Sequence, residues 1–180
     1  MENQSLKPIA EWKETLEKRL PLFGHRNWLV VADAAYPAQS RPGIETVISG
    51  VSQQVAIEGV LEYLRACLHI RPIIHVDREL EFVTEEDAPG VDSYRKWLDG
   101  VLAGNTFHSS PHDEIISRLD EAAQMFSVLV IKSTMAIPYT SVFFELDCGY
   151  WNAESEARLR SSISNNSVTI HHQDKQSGIS

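Results

Sequence analysis

Apolar positions along the chain follow two spacings, one helical and one of compact runs. Ile9, Trp12, Leu16 and Leu20 recur at helical intervals among Glu and Lys. That spacing predicts an amphipathic helix over 8–20, with Pro8 near its start and Pro21 and Gly24 ending it. The run Trp-Leu-Val-Val-Ala at 28–32, bounded by turn residues, reads as a buried strand. Residues 34–43 are rich in turn formers, and 44–48 reads as a short strand. Ser52 is placed to cap a helix over 53–68 that carries Val60, Leu61, Leu64 and Leu68 on one face. A second buried strand is expected at 72–76, and the acidic patch Glu85-Glu86-Asp87 before Pro89-Gly90 reads as a surface turn. A helix over 92–102 is stopped by Gly104.

Ser110-Pro111 opens a helix over about 112–125, whose first-turn Asp113 and Glu114 suit the helix dipole. Nearly pure apolar strands follow at 127–131 and 141–146, separated by the polar loop 132–141. Residues 154–160 read as a short helix. From Ser161 the Ser, Asn and Gln content is that of a polar tail. No internal repeat is found. Helices alternating with buried strands give a single α/β domain with a mainly parallel sheet flanked by helices. The domain is expected over 1–160 and the tail over 161–180. In such sheets ligands sit beyond the carboxyl ends of the strands, where Asp33 and the 132–141 loop both fall.

Composition narrows the function. The 180 residues are 43% hydrophobic and 23% charged, with a net charge of −9. That balance argues against nucleic acid or an anionic membrane as partner, since phosphate binding needs clustered Lys and Arg. No apolar run approaches a membrane span and residues 1–8 hold no signal core, which leads to a cytoplasmic expectation. Cys67 and Cys148 are far apart in apolar contexts, as expected of free buried thiols in a reducing compartment.

Candidate chemistry centres on His25 before the first strand and Asp33 after it. An imidazole suits proton transfer near neutral pH, and a carboxylate orients a polar ligand; the same two residues also suit simple turn and strand capping. Tyr139, in the loop after an apolar strand, either aims its hydroxyl at a ligand or covers the end of the core. His108 and His112 have metal-ligand spacing, but Pro111 between them breaks a shared helix. His75, mid-strand, reads as a structural histidine. His171-His172 lies in the tail. The chain lacks G-x-G-x-x-G, G-x-x-x-x-G-K-[ST] and G-x-S-x-G, which argues against dinucleotide binding, a P-loop and a serine-hydrolase elbow. No metal or cofactor is expected.

The block Gly24-His25, Leu29-Val30-Val31, Asp33-Ala34, Pro37-Ala38 and Ser40 resembles the RbsD/FucU sugar mutarotases. A second block, 128–131, Pro138-Tyr139-Thr140-Ser141 and 142–144, resembles that family's closing strands. The resemblance covers about residues 18–150. It implies an RbsD-like fold and interconversion of the cyclic forms of a fucose- or ribose-like sugar, by acid–base opening of the hemiacetal. It implies His25 as the catalytic acid–base, and Asp33, Tyr139, Ser141 and His112 as sugar contacts. Ser141 stands where the family has Asn, and the 112–139 segment is longer than the family pattern. The resemblance further implies a ring-shaped homo-oligomer, such as a decamer, with sites at subunit interfaces. A sugar-binding or regulatory protein on the same scaffold is the alternative, and an assembly protein with a vestigial pocket is a third reading.

Overall fold

The computed structural model describes residues 7–173, with side chains over 11–164; Met1 to Leu6 and residues 174–180, including the end of the expected tail, lie outside the described residues. Helix α1 (Lys7–Arg19) leads through a tight 3-10 turn (Leu20–Leu22) to strand β1 (Trp28–Ala32). Then come β2 (Ile44–Ile48), α2 (Gln53–Ala66), β3 (Ile70–Asp77), a 3-10 turn (Arg78–Phe82) and α3 (Val91–Leu102). The chain continues with β4 (Phe107–Ser110), α4 (His112–Ala122), β5 (Val128–Lys132), β6 (Val142–Cys148) and α5 (Ala153–Gln173).

The six strands form one sheet in the order β2-β5-β1-β6-β3-β4. β2, β5 and β1 are parallel neighbours, as are β3 and β4. β6 runs antiparallel between β1 and β3. The sheet is therefore mixed, with one reversed strand at its centre. This reversal brings the start of β6 to the edge where β1, β3, β4 and β5 end, so Ser141 meets the carboxyl-end loops.

Burial follows the alternation of side chains across the strands. Leu29, Val31, Ile74 and Phe144 face one core with Trp12 and Leu16 of α1, Ile57 and Leu61 of α2 and Tyr94 and Leu98 of α3. Val30, Val130 and Phe143 face the other, covered by Ile115 and Leu119 of α4. One face thus carries three helices and the other one. Gly59 makes the α1–α2 contact: a Cβ there would lie 2.7 Å from Trp12 Cη2, and Trp12 is fully buried. A mid-helix glycine costs about 1 kcal/mol in propensity, and burying an indole more than offsets it.

The structure departs from the sequence reading at several places. α2 ends at Ala66 and α4 at Ala122, short of the expected 68 and 125, so Leu68 lies beyond its helix and is exposed instead of on the apolar face. β4 was not expected, because Phe-His-Ser-Ser has neither length nor apolar alternation; it forms by pairing with β3 from Ile74↔Phe107 to Asp77↔Ser110. β3 runs to Asp77, past the apolar stretch. α5 continues to Gln173, past the short helix expected over 154–160 and into the expected polar tail. Both cysteines are free but half-buried rather than buried.

Candidate functional site

The carboxyl ends of β1, β3 and β5, with the start of α4, surround a cavity of about 640 Å³. Asp33, Asp77, His112 and Tyr139 line it, together with the apolar Ile116 and Ile137. No Lys or Arg is among the lining residues.

Each polar side chain is held by local structure. Asp33 ends β1, and its Oδ1 accepts the Ala35 N–H at 2.8 Å, closing an Asx turn. Its Oδ2 accepts the Ser141 hydroxyl at 3.1 Å, and the Asp33 N–H approaches Ser141 Oγ at 3.4 Å. Ser141 is 3% exposed, so its hydroxyl serves Asp33 from the start of β6. Tyr139 sits in the left-handed region at φ 58°, a conformation costing on the order of 1 kcal/mol for a non-glycine residue. That turn leaves its ring 39% exposed over the cavity mouth.

The loop bearing Tyr139 is fixed from below by Gln53, which is fully buried at the start of α2. Gln53 Nε2 donates to the carbonyls of Thr140 at 2.7 Å and Val31 at 3.0 Å, and its Oε1 accepts the Ser133 hydroxyl at 2.5 Å. Tyr94 adds a bond to the Thr140 carbonyl at 2.7 Å. A satisfied buried network of this kind fixes one geometry.

His112 opens α4. Pro111 gives no side-chain cap, and Glu79, from the turn after β3, accepts the His112 N–H with both carboxylate oxygens at 3.0 Å. A carboxylate there also complements the helix dipole. The ring is held by its Nδ1, 3.0 Å from Asp77 Oδ1, and meets the Tyr139 ring edge-on with centroids 5.7 Å apart. The Asp77 side chain is 1% exposed and that of His112 35%. Among the described residues no donor reaches the buried Asp77 Oδ2. Burial pushes the Asp77 carboxyl up to about 6 against the pull of the His112 hydrogen bond, and the charges of Glu79 and Asp33 push the same way as burial. Burial likewise pushes the phenol of Tyr36, in the loop after Asp33, up to about 12.

His25 lies elsewhere. It is exposed in a turn closed by Asn27 Oδ1 accepting the Gly24 N–H at 2.8 Å and by the Arg26 N–H bonding the Leu146 carbonyl at 2.8 Å. That turn precedes β1, whereas Asp33 follows it. The five extended residues between put on the order of 15 Å between the two ends. Within one chain, Asp33, His112, Tyr139 and Ser141 come together and His25 does not. Asp77, Glu79 and Gln53 were not singled out from the sequence. Asp77 and Glu79 read there as part of an ordinary charged stretch after a strand.

His75 is buried, with Nε2 3.0 Å from Glu145 Oε2, and stacks between Trp28 and His108. His108 belongs to β4 and His112 to α4, so they share no helix. Among the described residues no group of three or more His, Cys, Asp or Glu is arranged to hold a metal ion, and no helix is long and apolar enough to cross a membrane.

The chain superposes on RbsD of Bacillus subtilis, solved with D-ribose, at TM-score 0.55 and 16% identity, covering 74% of this chain and 91% of that one. The fold is that of RbsD and FucU. FucU from Bifidobacterium longum matches at TM-score 0.51 and 17% identity, covering 74% of this chain and 94% of its own. Fucose mutarotase from Streptococcus pneumoniae, in complex with L-fucose, matches at TM-score 0.50 and 19% identity over 74% and 91% of the two chains. No family model and no curated relative matches the sequence.

Proposed function

We propose that this chain is a monosaccharide mutarotase or pyranase acting on a fucose- or ribose-like sugar. The RbsD/FucU fold supports the reading, since solved neighbours hold D-ribose and L-fucose. The observation that carries it is the cavity at the carboxyl edge of the sheet, with carboxylates at Asp33 and Asp77, an imidazole at His112 and apolar Ile116 and Ile137. A sugar ring presents the matching set, hydroxyl donors around its rim and C–H groups on its faces.

Opening a hemiacetal requires a proton to leave the anomeric hydroxyl and another to reach the ring oxygen. Imidazoles manage both transfers near neutral pH without a metal or cofactor. In this reading Asp33 accepts a sugar hydroxyl, Tyr139 closes over the ring, Ser141 orients Asp33, and His25 acts as acid–base. Because His25 sits across the sheet from Asp33, it reaches a cavity only from a second copy of the chain. The active form is therefore a homo-oligomer, of the ring-shaped kind, with the site between copies.

The test is anomer exchange, measured by saturation-transfer NMR on L-fucose, D-ribose, D-galactose and D-glucose. The expected result is acceleration for one or two of them, abolished in His25→Ala with the fold intact. A non-catalytic sugar-binding protein is the second reading, favoured by the commitment of the Ser141 hydroxyl to Asp33. It predicts calorimetric binding without acceleration.

A further inference from the structure

We propose that His112, positioned by Asp77, is a second acid–base group in this cavity, working opposite the imidazole of His25. The inference rests on the mutarotase reading and adds to it a division of labour between two histidines. In ring opening, the bond between the anomeric carbon and the ring oxygen breaks as the anomeric O–H becomes a carbonyl. One proton leaves the anomeric oxygen and one arrives at the ring oxygen. Closure from the opposite face of the carbonyl returns both. Two separately placed groups carry these transfers together, one as base and one as acid.

The geometry fits His112 for one of these parts. Asp77 Oδ1 holds Nδ1 at 3.0 Å, Glu79 pins the backbone N–H, and the Tyr139 ring edge braces the imidazole. Nε2 has no partner among the described residues, and the ring lines the cavity. A carboxylate behind an imidazole selects one tautomer and steadies the imidazolium that forms when Nε2 takes a proton. Asp77 is therefore a positioning residue, and His112 touches the substrate.

A second observation ties this pair to the cavity. Asp77 also lines the cavity, and its buried Oδ2 is without a donor among the described residues. Buried polar atoms without a partner occur elsewhere among the described residues, His75 Nδ1 included, but this one belongs to a carboxylate that lines the cavity, and it costs free energy until a donor arrives. A sugar hydroxyl supplies that donor.

The charged and titratable groups facing His112 are Asp77 from β3, Glu79 from the turn after it, Asp33 from the end of β1, and the Tyr139 phenol. Asp113 and Glu114 follow it on α4. Burial pushes the Asp77 carboxyl up to about 6, against the pull of the hydrogen bond from His112.

The experiment is saturation-transfer NMR on the full chain from pH 5 to pH 8.5, using whichever of the four sugars the wild type accelerates. Wild type, His112→Gln and Asp77→Asn are compared, with circular dichroism reporting the fold and calorimetry the sugar affinity. The expected result is a loss of 100-fold or more in exchange rate for His112→Gln, with sugar affinity kept within tenfold. Asp77→Asn is expected to lose about tenfold and to lose the limb of the pH profile near 6. Full exchange by His112→Gln at saturating sugar, or an unchanged acid limb in Asp77→Asn, overturns the inference and leaves the mutarotase reading standing. A wild type that accelerates none of the sugars overturns both.

Discussion

Two histidine–carboxylate pairs stand on the same face of one sheet and are built in opposite senses. In His112–Asp77 the carboxylate is buried and the imidazole is 35% exposed, lining a cavity. In His75–Glu145 the imidazole is 3% exposed and the carboxylate 23%. His75 is stacked between Trp28 and His108, and Glu145 also receives Arg118 at 2.6 Å. The two carboxylates are pushed in opposite directions. Burial raises Asp77, whereas hydrogen bonding from His75, helped by Arg118, lowers Glu145. A buried, under-satisfied carboxylate behind an accessible ring costs stability and serves chemistry. A well-partnered carboxylate in front of a buried ring contributes stability.

Exchanging the fates of the two histidines gives the largest effects. His75→Ala removes a ring from the Trp28–His108 stack and is expected to cost about 3 kcal/mol, a fall of roughly 8 °C in Tm. Exchange per folded molecule should survive it. His112→Gln should do the reverse, holding Tm within about 2 °C while exchange collapses. Scanning calorimetry beside the NMR assay checks both, and parallel losses in the two variants would erase the distinction.

Gln53→Leu comes next. It leaves the carbonyls of Val31 and Thr140 and the Ser133 hydroxyl without their buried partner. Urea unfolding should register a loss of about 2–4 kcal/mol. Sugar affinity should fall as well, because the Tyr139 loop loses its anchor. A loss under 1 kcal/mol would mean the loop is fixed by other contacts.

How much of this was legible in the sequence differs sharply between the two pairs' surroundings. β1 and β5 were read with the right type and nearly the right ends, because Trp-Leu-Val-Val-Ala and Val-Leu-Val-Ile are apolar on both faces and bounded by turn residues. The carboxyl-edge placement of Asp33 and Tyr139 followed from the α/β order. Asp77 and Glu79 were invisible because Asp-Arg-Glu-Leu-Glu is locally an ordinary charged stretch. Only the pairing of β3 with β4 and the start of α4 brings them to His112. β4 itself has no local signal and exists through its neighbour. Gln53 sat in a correctly read helix, yet nothing local says that its amide is buried. The separation of His25 from Asp33 was implicit in the strand assignment, since the seven residues between them include the fully extended β1, which cannot bring both ends to one ligand.

The pH dependence of stability sharpens the comparison at a smaller scale. Asp77 has a raised folded pKa, so the fold favours its protonated form. Its contribution is fullest below the unfolded carboxylate range and is lost as pH rises through about 6. Asp77→Asn should therefore gain on wild type with rising pH, by on the order of 2 kcal/mol between pH 4 and pH 7. Glu145 has a lowered folded pKa, so its contribution is present at neutral pH and is lost as pH falls through the folded value, below 4.5. Glu145→Gln should cost about 1 kcal/mol at pH 7, with the deficit closing in acid. Tm against pH for the two variants should slope in opposite directions relative to wild type, and slopes of the same sign would contradict the opposite construction of the pairs.

Tyr139→Gly carries the smallest stability effect. It relieves a left-handed non-glycine residue worth about 1 kcal/mol while removing the ring over the cavity. Tm should hold or rise slightly as sugar affinity falls, and unchanged affinity would place the ligand away from Tyr139.

In the proposed reading sugar enters the cavity lined by His112, while His75 stays buried in its stack. The direct measurement is the imidazole NMR signals of the two histidines, assigned through His112→Gln and His75→Ala, during titration with L-fucose or D-ribose. A saturable shift of the His112 signals is expected, with those of His75 unmoved. Saturable movement of His75 with His112 unmoved would contradict it.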